Sequence, residues 1–292
     1  MNAPDRYAVI GHPIAHSKSP AIHAAFARQT GQNLVYERLP AALDAFATTV
    51  AQFARDGGKG LNVTAPFKVE AFALAQQHSE RAAQAAACNT LAWRGTHWFG
   101  DNTDGAGLVR ELTVNLGLEL RGREILILGA GGAARGLLGP LLAASPRQVI
   151  ISNRHVDRAN ELATLFAANG ALNVCKPADL AGTRFDVVLN ATSASSSAQD
   201  DLERFQLWPS TIFASGAVAY DLTYADEPTP FMRWAQAHGA THVNDGLGML
   251  IEQAAESFFL WRGVRPDTAP VFPLLRANWG LRNISGPVAS ER

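Results

Sequence analysis

The 292-residue chain is long enough for two domains at about 100–200 residues each. Its formal net charge of −1 gives no electrostatic case for binding nucleic acid or an anionic membrane surface. No apolar run approaches the roughly 20 residues that span a bilayer, and no His/Cys cluster has metal-ligand spacing, so neither a membrane span nor a metal centre is expected. Tyr7-Ala8-Val9-Ile10 follows the N-terminus without a signal peptide, and Cys88 and Cys175 lack a pairing pattern. Both features point to a reducing cytoplasm.

In chain order, residues 7–11 read as a strand. Ser19-Pro20 reads as an N-cap followed by Pro at the first helical position, opening a helix to Arg28. Residues 34–39 are strand-like, and residues 43–54 carry apolar side chains at helical spacing before Gly57-Gly58. Next come a short strand over 61–63, a helix opening at Pro66-Phe67-Lys68, and a strand over 90–93. Such alternation predicts an α/β domain with a mainly parallel sheet.

A second unit begins near Asp104. Glu124-Ile125-Leu126-Ile127-Leu128 is nearly all apolar, as a strand covered on both faces should be. A glycine loop and helix follow, then strand 148–152, helix 157–168, and buried-strand candidates at 185–190 and 218–221. This is the βαβ pattern of a dinucleotide-binding fold. Residues 191–199 are small and polar, a loop with three consecutive serines. The last helix, 246–261, lines up Leu247, Leu250, Ile251, Ala254 and Phe258, with Gly246, Met249, Gln253 and Ser257 on an adjacent face.

Lys68 breaks a local rule. It places an ammonium in a first helical turn, where the dipole is positive, at a cost of about 0.3–1 kcal/mol. Lysine is scarce (Lys18, Lys59, Lys68 and Lys176), and arginine supplies the other side-chain cations. A chain that prefers Arg but keeps Lys here has kept a proton that can leave.

Gly129-Ala130-Gly131-Gly132-Ala133-Ala134 matches G-x-G-x-x-A between a strand and a helix. The first glycine makes the turn, the second lets the backbone approach a pyrophosphate, and the helix N-terminus faces the phosphates. The next strand ends Ser152-Asn153-Arg154-His155-Val156-Asp157-Arg158 rather than in the acidic residue typical of NAD sites. Arg154 and Arg158 suit a 2′-phosphate, which favours NADP, while Asp157 dissents.

Several segments taken together resemble the shikimate dehydrogenase family. They are Val9-Ile10-Gly11-His12-Pro13-Ile14-Ala15-His16-Ser17-Lys18-Ser19-Pro20, Asn62-Val63-Thr64-Ala65-Pro66-Phe67-Lys68, Asn89-Thr90-Leu91, Gly100-Asp101-Asn102-Thr103-Asp104-Gly105, the glycine loop, Asn190-Ala191-Thr192-Ser193, Tyr220-Asp221-Leu222-Thr223-Tyr224, and Asp245-Gly246-Leu247-Gly248-Met249-Leu250. The resemblance implies NADPH-dependent reduction of 3-dehydroshikimate to shikimate, a step toward aromatic amino acids. It implies that Ser17 and Ser19 bind the substrate carboxylate, that Thr64, Asn89, Asp104, Tyr224 and Gln253 ring its hydroxyls, and that Lys68 is the acid–base residue with Asp104 as partner. Gly129, Ala130, Gly131, Gly132, Ala133, Asn153, Arg154 and Arg158 map to NADP contacts. Leu222, Gly246 and Met249 map to the nicotinamide, and Glu80 to the cofactor's vicinity.

Three positions depart from the family pattern. His155 stands where Thr is frequent, and an imidazole there still offers the phosphate a hydrogen bond. Ala194 replaces a usual glycine, and Cys88 a usual Val, which points to packing rather than redox chemistry. The expected architecture is a substrate domain of residues 1–104 plus 247–292 and a Rossmann-type NADP domain of residues 105–246, with the active site in the cleft. A monomer or homodimer remains open. The rival readings are a quinate/shikimate dehydrogenase using NAD, a non-catalytic NADP-sensing homologue, and another two-domain NADP enzyme such as a methylene-tetrahydrofolate dehydrogenase.

Overall fold

A computed structural model describes residues 3–192 and 204–276. These residues divide into two compact units, one within 1–107 and 250–273, the other within 108–249 and 274–292.

The first unit is built on strands β1 (Asp5–Gly11), β2 (Leu34–Pro40), β3 (Gly58–Val63), β4 (Gln77–His78), β5 (Thr90–Trp93) and β6 (Trp98–Asp101), in the order β2-β1-β3-β5-β6-β4. β1 runs parallel to β2 and β3, and β5 is antiparallel to both its neighbours, β3 and β6. Helices α1 (Ser19–Thr30), α2 (Phe46–Arg55), α3 (Lys68–Leu74) and α4 (Glu80–Ala85) accompany the sheet. Ile10, Phe46, Val50, Leu61, Phe67 and Leu91 belong to one buried cluster beneath it.

Two helix starts differ from the sequence reading. α3 begins at Lys68, because Thr64, Ala65, Pro66 and Phe67 form a turn closed by Phe67 N–H donating to Thr64 O at 3.1 Å, with a cis Ala65–Pro66 bond. Pro66 is thus a turn residue, and Lys68 itself opens the helix. Glu70 shares that first turn and offsets part of the dipole mismatch. In α1 the cap position is Lys18, and Ser19 is already helical. No side chain caps the helix from Lys18; ahead of it Ser17 Oγ accepts the Ser19 N–H at 3.3 Å in a local turn.

Helix α5 (Asp104–Arg110) continues as a π turn over Glu111–Asn115. The second unit then follows as β7 (Glu124–Leu128), α6 (Gly132–Ala143), β8 (Gln148–Ser152), α7 (Val156–Leu165), β9 (Leu172–Cys175), β10 (Phe185–Asn190), β11 (Phe213–Asp221), α8 (Pro230–Ala237) and β12 (His242–Asn244). The strand order is β12-β11-β10-β7-β8-β9, with every pairing parallel. This is the doubly wound dinucleotide-binding order, whose direction reverses between β7 and β10. Along β7, Ile125 and Ile127 enter one core and Leu126 and Leu128 the other. A continuous apolar strand reads this way when helices cover both faces. The structure is therefore α/β with two domains, one of Rossmann type.

Helix α9 (Leu247–Arg262) spans the boundary at 249/250, and α10 (Val271–Arg276) ends the described chain. Among the described residues, no helix is long and apolar enough to cross a membrane, and no group of His, Cys, Asp and Glu is arranged to hold a metal.

Candidate active site

Lys68 projects from the first residue of α3 and donates from Nζ to Asp104 Oδ2 at 2.5 Å. Both side chains are largely sheltered, at 20% and 8% exposure. Asp104 opens α5, where its carboxylate suits the positive end of the helix. Its backbone N–H donates to Asn102 Oδ1 at 3.2 Å. The ion pair therefore joins one favourably and one unfavourably placed helix-start residue.

Asn89 fixes the other carboxylate oxygen. Its Nδ2 donates to Asp104 Oδ1 at 2.8 Å and also contacts Thr103 Oγ1 at 2.9 Å and Gln253 Oε1 at 3.2 Å. Its Oδ1 accepts from Thr103 N–H at 2.8 Å and from Thr90 Oγ1 at 2.9 Å. Gln253, one turn and a half into α9, is itself held by Nε2 donating to Leu250 O at 2.8 Å. Lys68, Asp104, Asn89 and Gln253 thus form one connected group. Cys88 belongs to its frame: its N–H donates to Lys68 O at 2.8 Å, and burial pushes its thiol pKa up to about 12, which makes it packing material.

Behind this group lies a buried polar network that sequence reasoning missed. Asn62 Nδ2 donates to Thr90 Oγ1 at 3.1 Å and Ser257 Oγ at 2.8 Å, and Thr103 and Ser257 hydroxyls lie 3.2 Å apart. Asp101, at the end of β6, is bound by both prongs of Arg81 at 2.7 Å. Burial alone would raise its pKa, but the Arg81 guanidinium overrides this and holds the carboxyl below its usual range.

Ser17 and Ser19 are both buried, in the segment between β1 and α1. Thr64 follows β3, with its N–H donating to Ile10 O at 3.0 Å, so the β1 and β3 ends that carry these residues are adjacent. Tyr224 follows β11 and belongs to the second unit. Glu80 is exposed in the first turn of α4, where it accepts from Gln84 Nε2 at 3.2 Å.

In the second unit, the loop after β7 has the geometry a pyrophosphate requires. Gly129 has φ +100°, and a Cβ there would meet Thr192 N at 3.0 Å, so only glycine fits. Gly131 and Gly132 are exposed, and open space lies where their Cβ atoms would be, at the start of the twelve-residue α6. Ala130 and Ala133 flank them, half-buried. This uncluttered helix N-terminus fits a dinucleotide's phosphates. After β8, Asn153 Nδ2 donates to His155 O at 2.7 Å, closing a turn from which Arg154, His155 and Arg158 are exposed.

Asp221 ties the remaining nucleotide-side loops together. It accepts from Asn190 Nδ2 at 2.9 Å, Thr223 N–H at 3.0 Å and Thr229 Oγ1 at 2.5 Å. Asn190 Oδ1 in turn accepts from the Thr192 hydroxyl at 2.6 Å. Burial pushes the Asp221 pKa up to about 6, with the three donors opposing. Gly246 is pressed against this turn, since a Cβ there would lie 2.2 Å from Leu222 O. Met249 N–H donates to the Tyr220 hydroxyl at 3.0 Å. The Ala194 position and its serine-rich loop lie outside the described residues.

The sequence matches three family descriptions: the shikimate dehydrogenase substrate binding domain over residues 9–91, shikimate / quinate 5-dehydrogenase over 111–204, and the shikimate 5'-dehydrogenase C-terminal domain over 246–271. It is 56% identical over 275 residues to a shikimate dehydrogenase (NADP(+)) of Aromatoleum aromaticum, covering 93% of this chain and 97% of that protein. The corresponding protein of Dechloromonas aromatica is 56% identical over 274 residues, with 94% and 98% covered. Among solved structures, an Ael1 enzyme from Pseudomonas putida superposes with TM-score 0.86 at 46% identity, covering 93% of this chain and 98% of that one. Shikimate 5-dehydrogenase from Thermus thermophilus in complex with NADP(H) and shikimate gives TM-score 0.81 at 33% identity, with 94% and 99% covered. Over nearly its whole length, then, this chain belongs to the shikimate dehydrogenase family.

Proposed function

We propose that the protein is an NADP-dependent oxidoreductase that interconverts 3-dehydroshikimate and shikimate, in the cytoplasm, in aromatic amino acid biosynthesis. The observation that carries this reading is the sheltered Lys68–Asp104 pair held by Asn89 and Gln253, on a chain that shares more than half its sequence with enzymes named for that reaction. The unpaired thiols of Cys88 and Cys175 fit a reducing compartment.

When bound, NADPH supplies the hydride for the ketone carbon. Lys68 supplies the proton to the oxygen from an ammonium whose direction is fixed by Asp104. Asn89 holds Asp104 in one orientation through the oxygen that Lys68 does not use. In the reverse direction neutral Lys68 takes the hydroxyl proton. Ser17 and Ser19 hold the carboxylate, and Thr64, Asn89, Asp104, Tyr224 and Gln253 bind the ring hydroxyls. On the nucleotide side, residues 129–133 cradle the pyrophosphate, Asn153, Arg154, His155 and Arg158 hold the 2′-phosphate, and Leu222, Gly246 and Met249 support the nicotinamide. Glu80 is assigned to the cofactor's periphery.

The test is kcat/KM for shikimate and quinate, each with NADP and with NAD. The expected order puts shikimate with NADP first by at least tenfold. Preference for quinate with NAD would favour the rival that Asp157, in the first turn of α7, keeps in play. No turnover in any combination would leave the nucleotide-sensing reading.

A further inference from the structure

Edge strand β2 reaches the two serines assigned to the carboxylate. Arg38 donates to the Ser17 carbonyl from Nε at 3.0 Å and from Nη2 at 2.6 Å. Two positions earlier, and so on the same face of the strand, Tyr36 lies near the Ser19 side chain and donates to Asn62 Oδ1 at 2.7 Å. The Tyr36 ring is stacked on His23 of α1, with centroids 4.1 Å apart and planes within 5°. One strand thus holds the Ser17 backbone and sets a phenol near the Ser19 hydroxyl.

We propose that Tyr36 and Arg38 form the back wall of the carboxylate site: Tyr36 positions the Ser19 hydroxyl, and Arg38 positions Ser17 and supplies the positive charge that makes the site select an acid over its neutral ester. The inference rests on the reading that Ser17 and Ser19 bind a carboxylate. Two hydroxyls alone bind an ester nearly as well as an acid, so selection for the charged form needs a cation close behind them. The fork of Arg38 on the Ser17 carbonyl places one there and polarises that peptide. Tyr36 has one proton and two partners. That proton goes to Asn62 Oδ1, which only accepts, so toward Ser19 the phenol oxygen is an acceptor that orients the Ser19 hydroxyl. Burial keeps the Tyr36 phenol protonated, since its pKa lies well above 10.

The experiment measures kcat and KM with NADP for shikimate and for methyl shikimate, in the wild-type protein and in Tyr36→Phe, Arg38→Met and Arg38→Lys, with folding checked by circular dichroism. The expected result is that Arg38→Met lowers the acid-over-ester ratio of kcat/KM by roughly tenfold or more, and that Arg38→Lys restores part of it. Tyr36→Phe should raise KM for both compounds, with the loss falling mainly on KM. A merely structural role would change the amount of folded enzyme but leave the acid-over-ester ratio where it was. An unchanged ratio in a folded Arg38→Met variant, with wild type active on shikimate, overturns the proposal and leaves the parent reading standing. So does a wild type that does not discriminate between the two compounds. A wild type inactive on both compounds overturns the parent reading and this one with it.

Discussion

His23 should make the first unit acid-sensitive. The side chain is 1% exposed, and neither ring nitrogen has a partner at hydrogen-bond geometry. Its ring lies among Tyr36, Phe26, Phe258 and Trp261. Burial lowers its pKa from 6.5 to about 3, with nearby Asn62 opposing. The folded state therefore refuses a proton that the unfolded chain accepts. Stability from this group is fully present above pH 6.5 and is lost as pH falls toward 3. The linkage integral gives a loss of about 2 kcal/mol between about pH 7.5 and about pH 5. His23→Phe keeps a ring in the stack and removes the titration. Urea unfolding of both proteins at the two pH values should show the variant gaining about 2 kcal/mol on wild type as the pH drops. If the stability difference between the two proteins is the same at both pH values, His23 is protonated or solvated in the fold, and the reasoning fails.

Other expectations concern the proposed chemistry. Lys68→Ala should lower kcat by about 10²–10⁴ with little change in KM for shikimate, so a near-normal kcat would remove it as the proton donor. Asp104→Ala should harm both parameters, measured in the same assay, because it unmoors Lys68 and removes a proposed hydroxyl acceptor. Arg154→Ala should raise KM for NADP by about 10–100-fold while moving KM for NAD far less; equal effects would exclude it from the 2′-phosphate site. Asp221, with its pKa raised to about 6, favours the fold when protonated, and that advantage is lost as pH rises. Asp221→Asn should therefore gain about 2 kcal/mol on wild type between about pH 4.5 and about pH 7.5 in denaturant titrations, and a flat difference would refute the assignment.

The parts of this molecule legible in the sequence are those whose cause is local. The nearly all-apolar β7 announces two covered faces because its residues alternate between two cores. The glycine loop is readable because the constraint, backbone approach to a phosphate, acts on the glycines themselves. Lys68 stands out because a helix start penalises it. What eluded the sequence depends on distant partners. Asn62 meets Ser257 across 195 positions, and nothing near either residue advertises the contact. Ser19 is not the α1 cap, because the helix begins one residue earlier than Pro20 signals, with Lys18 at the cap and Ser17 accepting the Ser19 N–H ahead of it. The start of α3 slipped to Lys68 because the Thr64 carbonyl closed a turn where Pro66 had signalled a helix.

The Lys68–Asp104 pair, with Asn89 and Gln253, lies wholly inside the first unit. The proposed acid–base pair is thus held by bonds internal to one unit, bracketed by the Lys68–Cys88 backbone bond and the Asn89 amide. Its alignment rests on hydrogen bonds within that unit. Evolution can then vary the nucleotide loops, changing which cofactor is taken and how tightly, without disturbing the proposed proton donor, and substitutions in the two units should combine additively in kcat/KM wherever they share no partner.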